Sequence, residues 1–226
     1  MSILDVLFPR NMVCLVCDAP SYGEALCDDC REQLNSAVCH NDVEPDVFID
    51  GVGSVWYHEG VPRKLVHRLK YDAIADAAEV LATGIADLAR EKSLPEAMVV
   101  TSVPMPKKRL RERGIDHGRT LAEAVARALS LPYEQLLTRV GRSHTQRGLN
   151  RAQRLRNLTD AFTAAPLHGE TVLLIDDVLT TGATALTCAR VLREAGAARV
   201  WVLTATKARK GGSWLNRLLR WKGWKR

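Results

Sequence analysis

No apolar run in the 226-residue chain approaches the roughly 20 residues that cross a bilayer, so a membrane-spanning helix is excluded. The opening MSILDVLFPRNMVCLVC has no basic residue ahead of its apolar ones and carries Asp5, which does not read as a secretory signal. The expected setting is therefore a reducing cytoplasm, where six cysteines stay out of disulfides. Acids are missing from two stretches. Residues 139–157 hold six arginines and neither Asp nor Glu, and residues 207–226 hold eight basic residues and no acid. The net charge is +6, so the 206 residues before that tail sum to −2, and the basic balance belongs to the tail. There is no internal repeat and no low-complexity linker, which excludes a solenoid or a string of tethered modules. What remains is an ordinary globular mix, 46% hydrophobic and 26% charged, long enough for one core-bearing domain and a small appendage.

Five of the six cysteines lie in residues 1–40. Cys14 and Cys17 form one C-x2-C, and Cys27 and Cys30 form another nine residues on. Thiolates at this spacing bring four sulfurs to a tetrahedron around Zn²⁺, and a closed four-sulfur site is structural. A redox pair is the alternative, but two pairs in tandem favour zinc. Asp18, Asp28 and Asp29 do not help thiols ionise, so the metal must supply that drive. Cys39 and His40 read as bystanders. A segment of about 40 residues has too small a core to fold without such a staple.

The stretch 172–185, VLLIDDVLTTGATA, organises the rest. Val172, Leu173, Leu174 and Ile175 read as a buried parallel strand. Asp176 and Asp177 come where that strand is expected to end. Thr180, Thr181, Gly182, Ala183 and Thr184 then form a small polar loop ahead of a helix over 185–194. Free amides, hydroxyls and the positive helix end suit a phosphate. Carboxylates suit ribose hydroxyls as acceptors and Mg²⁺ as oxygen ligands. A strand end and a helix cap would account for one acid, not for two acids plus the loop.

The remaining pattern alternates strands with helices. An alternating stretch at 47–57 suggests a strand or hairpin, and helices are expected over 61–69, 74–90 and 117–129. Strands are expected over 97–103 and 200–206, with a short one at 159–162. This predicts an α/β fold with a parallel sheet. Cations cluster after the 97–103 strand, with Lys107, Arg109 and Arg113 placed where open α/β sheets bind ligands. The arginine-rich loop contributes Arg147 and Arg154 as further contacts for pyrophosphate or a nucleic-acid backbone. Cys188 reads as a small buried residue, and His67, His117 and His144 as lone histidines with no catalytic role.

Two acids followed by TTGAT resemble the phosphoribosyl pyrophosphate (PRPP) motif of type I phosphoribosyltransferases. The four cysteines, HRLKYD, SVPMPKKRLRERG, LTRVGRSHTQRGLNRAQRLRN and LLIDDVLTTGAT, in this order, are similar to the ComF family of phosphoribosyltransferase-like proteins. Its best marks are Lys70-Tyr71, Arg113-Gly114, Gln146 with Arg154 and Asn157, and the acid pair. The chain departs from the family where Ser102-Val103-Pro104 replaces Pro-Val-Pro and Gly114-Ile115-Asp116-His117 replaces Gly-Phe-Asn-Gln. The resemblance implies a type I phosphoribosyltransferase-like domain over 46–210 behind a zinc-binding segment at 1–45. It implies Asp176 and Asp177 on the ribose hydroxyls of PRPP, the 180–184 loop on the 5-phosphate, and Mg²⁺ bridging sugar and pyrophosphate. It also implies a cytoplasmic role in natural competence, beside a helicase, in bringing single-stranded DNA inward. Some family members are linked instead to metabolism.

Two functional classes follow. One is PRPP-dependent pentosyl transfer. The other is a binding module whose basic loops hold single-stranded nucleic acid or a helicase without turnover. The tail over 211–226 places Trp214, Leu215, Leu218, Leu219 and Trp221 on one helical face among basic residues. That pattern suits an anionic membrane surface, a partner, stacked bases or packing on the body.

Overall fold

Among the described residues of the computed structural model, four of the six strands form one sheet, parallel throughout. The strands are β1 (Gly51–Tyr57), β2 (Val99–Ser102), β3 (Leu137–Arg139), β4 (Phe162–Ala164), β5 (Thr171–Leu179) and β6 (Arg199–Lys207). The sheet runs in the order β1-β6-β5-β2, and β3 pairs with β4 in a separate antiparallel hairpin. The structure describes residues 12–39, 47–71, 75–96, 98–140 and 161–209.

The helices are α1 (Asp28–Ser36), α2 (Gly60–Tyr71), α3 (Ala75–Glu91), α4 (Lys107–Arg113), α5 (His117–Leu129) and α6 (Ala183–Glu194). Side chains alternate along each strand, so the two sheet faces build two cores. Leu173, Ile175, Leu203 and Ala205 pack with α2, α3 and α5. Val172, Leu174, Val200 and Val202 pack with α6 and the β3–β4 hairpin. In α3 the buried residues Ala77, Ala78, Leu81, Ala82, Ile85, Ala86 and Ala89 recur at helical spacing, and most are small. Small residues let the helix lie close. Gly84 faces the Trp56 ring so tightly that a Cβ there would collide with it.

The expected elements are present with shifted ends. The largest shift bears on the site. β5 does not stop at the acids but continues through them to Leu179. The reason is its partner: β6 is equally long, and the ladder continues through Asp176↔Thr204, Val178↔Thr206 and Leu179↔Lys207. Strand β3 and helix α1 were not legible as elements in the sequence.

The cysteine segment is not a separate bead. Cys14, Val16, Leu26, Cys30 and Leu34 join the core of Leu65, Val66 and Leu69. Backbone bonds stitch it on: Cys39 N–H donates to Val55 O at 2.8 Å and Tyr57 N–H to Ala37 O at 3.0 Å. Arg68 of α2 donates to Leu15 O at 2.9 Å and pairs with Asp18 at 3.3 Å. Among the described residues no helix is long and apolar enough to cross a membrane. Arg147, Arg154, Gln146, Asn157, His40, His144 and the 211–226 tail lie outside the described residues.

One turn carries a sharp expectation. Gly196, just past α6, has φ +113°, and a Cβ there would strike the Leu167 carbonyl oxygen. Gly196→Ala meets both a left-handed backbone and a backbone wall, and costs about 2 kcal/mol or more. A urea titration with unchanged slope and a lower midpoint is the expected result. An unchanged midpoint would contradict it.

Candidate active site at the carboxyl edge of the sheet

Helix α2 begins after β1, and its last turn reaches the acids of β5. Lys70 Nζ lies 2.7 Å from Asp177 Oδ2. His117, the first residue of α5, brings Nε2 to 3.2 Å from the same oxygen. Asp177 is 7% exposed. Burial alone would raise its pKa, but the His117 hydrogen bond and Lys70 outweigh that and hold the carboxyl below its ordinary range.

The far side of His117 is also occupied. An Arg113 Nη1 lies 3.1 Å from His117 Nδ1. A guanidinium only donates, so Nδ1 accepts and the proton is assigned to Nε2, facing Asp177. Arg113 also lies over the Tyr71 ring, 4.8 Å from its centroid, and donates to the Tyr71 hydroxyl at 3.4 Å. Tyr71, Arg113, His117, Asp177 and Lys70 thus form one polar chain from the surface to the buried acid. The neighbouring His58 shares a 2.9 Å hydrogen bond with Thr206. Burial, and then the positive charges of Lys70 and Arg63, lower its pKa.

Asp176 has a different setting. Successive strand residues face opposite sides. Asp177 meets Lys70 and His117 on the α2/α5 face, while Asp176 lies towards α6, near enough to Cys188 to act on its thiol. Burial, and then the charge of Asp177, push the Asp176 carboxyl up to about 7. The folded protein therefore holds this proton from the unfolded value of 3.8 up to about 7, while the unfolded chain does not. Stability falls as pH rises through that window, because folding then requires ionising nothing below it and burying a charge above it. Asp176→Asn should flatten the decline between about pH 4 and about pH 7 in denaturant midpoints. A slope identical to the wild type would contradict this origin.

The strand passes straight into the loop. Thr180 and Thr181 are exposed, and Gly182, φ +70°, turns the chain into α6. No side chain caps α6. Neither acid serves as a cap, and the Ala183 N–H finds only Thr181 Oγ1 at 3.5 Å. The first-turn amides of a 12-residue helix are thus left facing the loop of Thr180, Thr181, Gly182, Ala183 and Thr184.

The cations expected on the 107–113 segment are divided. β2 pairs with β5, so α4 starts beside the acids across Pro104–Pro106. Lys107 and Arg109 are exposed, whereas Arg113 is engaged with Tyr71 and His117. Asp116 is not a misplaced charge in a phosphate site. Its Oδ1 accepts the Arg119 N–H at 3.1 Å and caps α5. Cys188 is fully buried, and burial holds its thiol well above the usual range.

The second cluster is the thiols of Cys14, Cys17, Cys27 and Cys30, whose sulfurs all lie within 4.8 Å of one another. Cys17 and Cys27 are 3.6 Å apart, too far for a disulfide. It is close to the edge of about 3.8 Å that four Zn–S bonds of about 2.3 Å define. Burial opposes ionisation of Cys14, yet backbone N–H donors around its sulfur, Val16 among them, pull it down to about 6. Burial and the other three thiols hold Cys30 well above its ordinary value. Four thiolates that close need a cation between them, so the donor set fits zinc. Cys39 is buried outside the cluster.

Reading by sequence alone missed Lys70 and His117 as site residues. Lys70 stood out only as part of the Lys70-Tyr71 mark, and His117 looked isolated. No local pattern links residues 70, 117 and 177. Only the packing of α2 and α5 across β5 does.

Comparison with known proteins matches both parts of the chain. A family model for the phosphoribosyl transferase domain matches residues 115–221, and one for the double zinc ribbon domain matches residues 3–45. The DNA utilization protein YhgH of Salmonella typhi is 34% identical over 150 residues. That match takes in 63% of this chain and spans 66% of the relative's length. Competence protein F of Haemophilus influenzae is 27% identical over 212 residues, 88% of this chain and 92% of the relative. Competence protein ComFC of Bacillus subtilis is 24% identical over 186 residues, 82% of this chain and 73% of the relative.

Proposed function

Because the chain belongs to the ComF family of phosphoribosyltransferase-like proteins, we propose that its carboxyl-edge site binds PRPP with Mg²⁺ and that the protein serves the uptake or use of DNA. The observation that carries the site reading is the run from a buried, ionised Asp177 into the uncapped start of α6. The carboxylates accept ribose hydroxyls, a ring laid across the sheet edge spanning both faces. The loop amides and the hydroxyls of Thr180, Thr181 and Thr184 take the 5-phosphate. Among the described residues only the four cysteines group three or more ligating side chains. Mg²⁺ is therefore a ligand brought by the diphosphate and the sugar rather than one caged by the protein. Bound there, it would neutralise the leaving diphosphate.

Transfer of the pentosyl group would need cations fixed where negative charge develops, and losing one such contact typically costs about 10²–10³ in rate. The test is calorimetric titration of PRPP with Mg²⁺ into the zinc-loaded protein, beside Asp176→Asn/Asp177→Asn. Binding lost in the variant supports the site, and pyrophosphate release with trial acceptors then asks for turnover. Equal binding by both proteins would overturn the assignment.

A second reading has its own observation. Lys107, Lys108, Arg109 and Arg111 are all exposed on the short α4, where Glu112 lies 3.8 Å from Lys108. Such a row suits a nucleic-acid backbone. Binding to single-stranded DNA through it should weaken with salt at a log–log slope of about −0.7 per phosphate contacted. A flat dependence would argue against it. A helicase partner, and a membrane contact through 211–226, belong to the same reading, and deletion of the tail tests the latter with anionic liposomes.

A further inference from the structure

The acid pair has a resident cation that none of the sequence motifs assigned a task. We infer that Lys70 is itself a ligand-binding residue, whose ammonium group, seated on Asp177, grips the diphosphate of the sugar phosphate. This rests on the PRPP reading above and adds a contact to it.

Lys70 touches the acid at 2.7 Å, while of the other expected cations among the described residues Lys107 and Arg109 are exposed and Arg113 is engaged with His117. Its side chain keeps 22% of its surface exposed, so the ammonium is not sealed into a purely structural pair. Three N–H donors sit on Nζ, and Asp177 Oδ2 uses one. Oδ2 also lies 3.2 Å from His117 Nε2.

Sugar chemistry supplies the next step. The 2-hydroxyl and the diphosphate are on adjacent carbons. A carboxylate that takes that hydroxyl is therefore one carbon away from the leaving group, and a cation on the same carboxylate is in reach of it. The last turn of α2 is fixed on both sides, by Arg68 on Leu15 O and by Tyr71 under Arg113. The ammonium is thus placed in advance rather than recruited, which is what charge developing on a leaving group needs.

A double-mutant cycle tests this, using wild type, Lys70→Met, Asp177→Asn and the pair of changes together. The probes are PRPP with Mg²⁺ and ribose 5-phosphate, which lacks the diphosphate. In the Asp177→Asn background, Lys70→Met should still weaken PRPP by about 10- to 100-fold, the worth of a charged hydrogen bond. Ribose 5-phosphate should then hold within about twofold. Lys70→Arg should recover part of the PRPP affinity. No further loss in the Asp177→Asn background would show that Lys70 acts only through Asp177, and equal losses for both ligands would show a general collapse of the site. Either overturns the inference while leaving the PRPP reading intact. A wild type that binds neither ligand overturns both. The double variant carries no unpaired buried charge, so its thermal midpoint checks that the fold survives.

Discussion

Cys14→Ser releases the metal and lowers the unfolding midpoint by about 10–20 °C, the equivalent of about 5 kcal/mol in a chain of this size. The sulfur is wholly buried, and its three partner thiols are within 4.8 Å. Losing one thiolate leaves a poor site for zinc and three crowded sulfurs without their cation. The damage does not stop in the segment. Val16, Leu26 and Leu34 leave a core they share with Leu65, Val66 and Leu69 of α2, and Arg68 loses the Leu15 carbonyl. Since α2 also carries Lys70, affinity at the acid pair should fall with the metal. Metal analysis, thermal melts and ligand titration before and after chelation read all three effects. Cys39→Ser is the control: Cys39 is equally buried but outside the cluster, so its variant keeps one zinc per chain and melts close to the wild type. An unchanged midpoint and metal content for Cys14→Ser would sink the structural-zinc assignment.

Asp177→Ala costs roughly 2–4 kcal/mol, and Lys70→Met added to it returns most of that loss. Removing one partner of a buried ion pair strands the other charge. Here the stranded ammonium, 22% exposed, can lean towards water, which keeps the cost near the lower end. His117 loses its acceptor as well. Taking both charges away removes the desolvation that the pair had to overcome, so the double variant should melt near or above the wild type while binding PRPP more weakly than the Asp177→Ala variant does. Stability restored without binding would mark the pair as kept for function. If the double variant is as unstable as the two single losses added together, the pair is a structural element instead. Chemical denaturation of the four proteins, with ligand titration alongside, decides it.

Much of this was written locally. The C-x2-C pairs name their ligands because two residues between thiols is the turn a zinc knuckle needs. The run of Val172, Leu173, Leu174 and Ile175 announces a strand buried on both faces, and Thr180, Thr181 and Gly182 announce a short polar loop before a helix. Helix α5 was legible to its ends, and the structure adds Asp116 as its cap. These features depend on spacing within a few residues, and spacing is what a sequence records.

Tertiary structure decided the rest. How far β5 runs was set by β6, whose equal length supplies backbone partners past Asp176 and Asp177. The different protonation of two adjacent identical side chains came from the sheet's alternation, which turns one towards Lys70 and His117 and the other towards α6. The union of the cysteine segment with the body came from Arg68 and the shared core. The pairing of Asp177 with Lys70 came from α2, which lays its last turn over the acid, while Arg113 of the basic run reaches Tyr71 and His117. Contacts across 60 and 107 positions of chain leave no mark in local spacing; they exist only once the hydrophobic faces of the helices have chosen where to lie on the sheet.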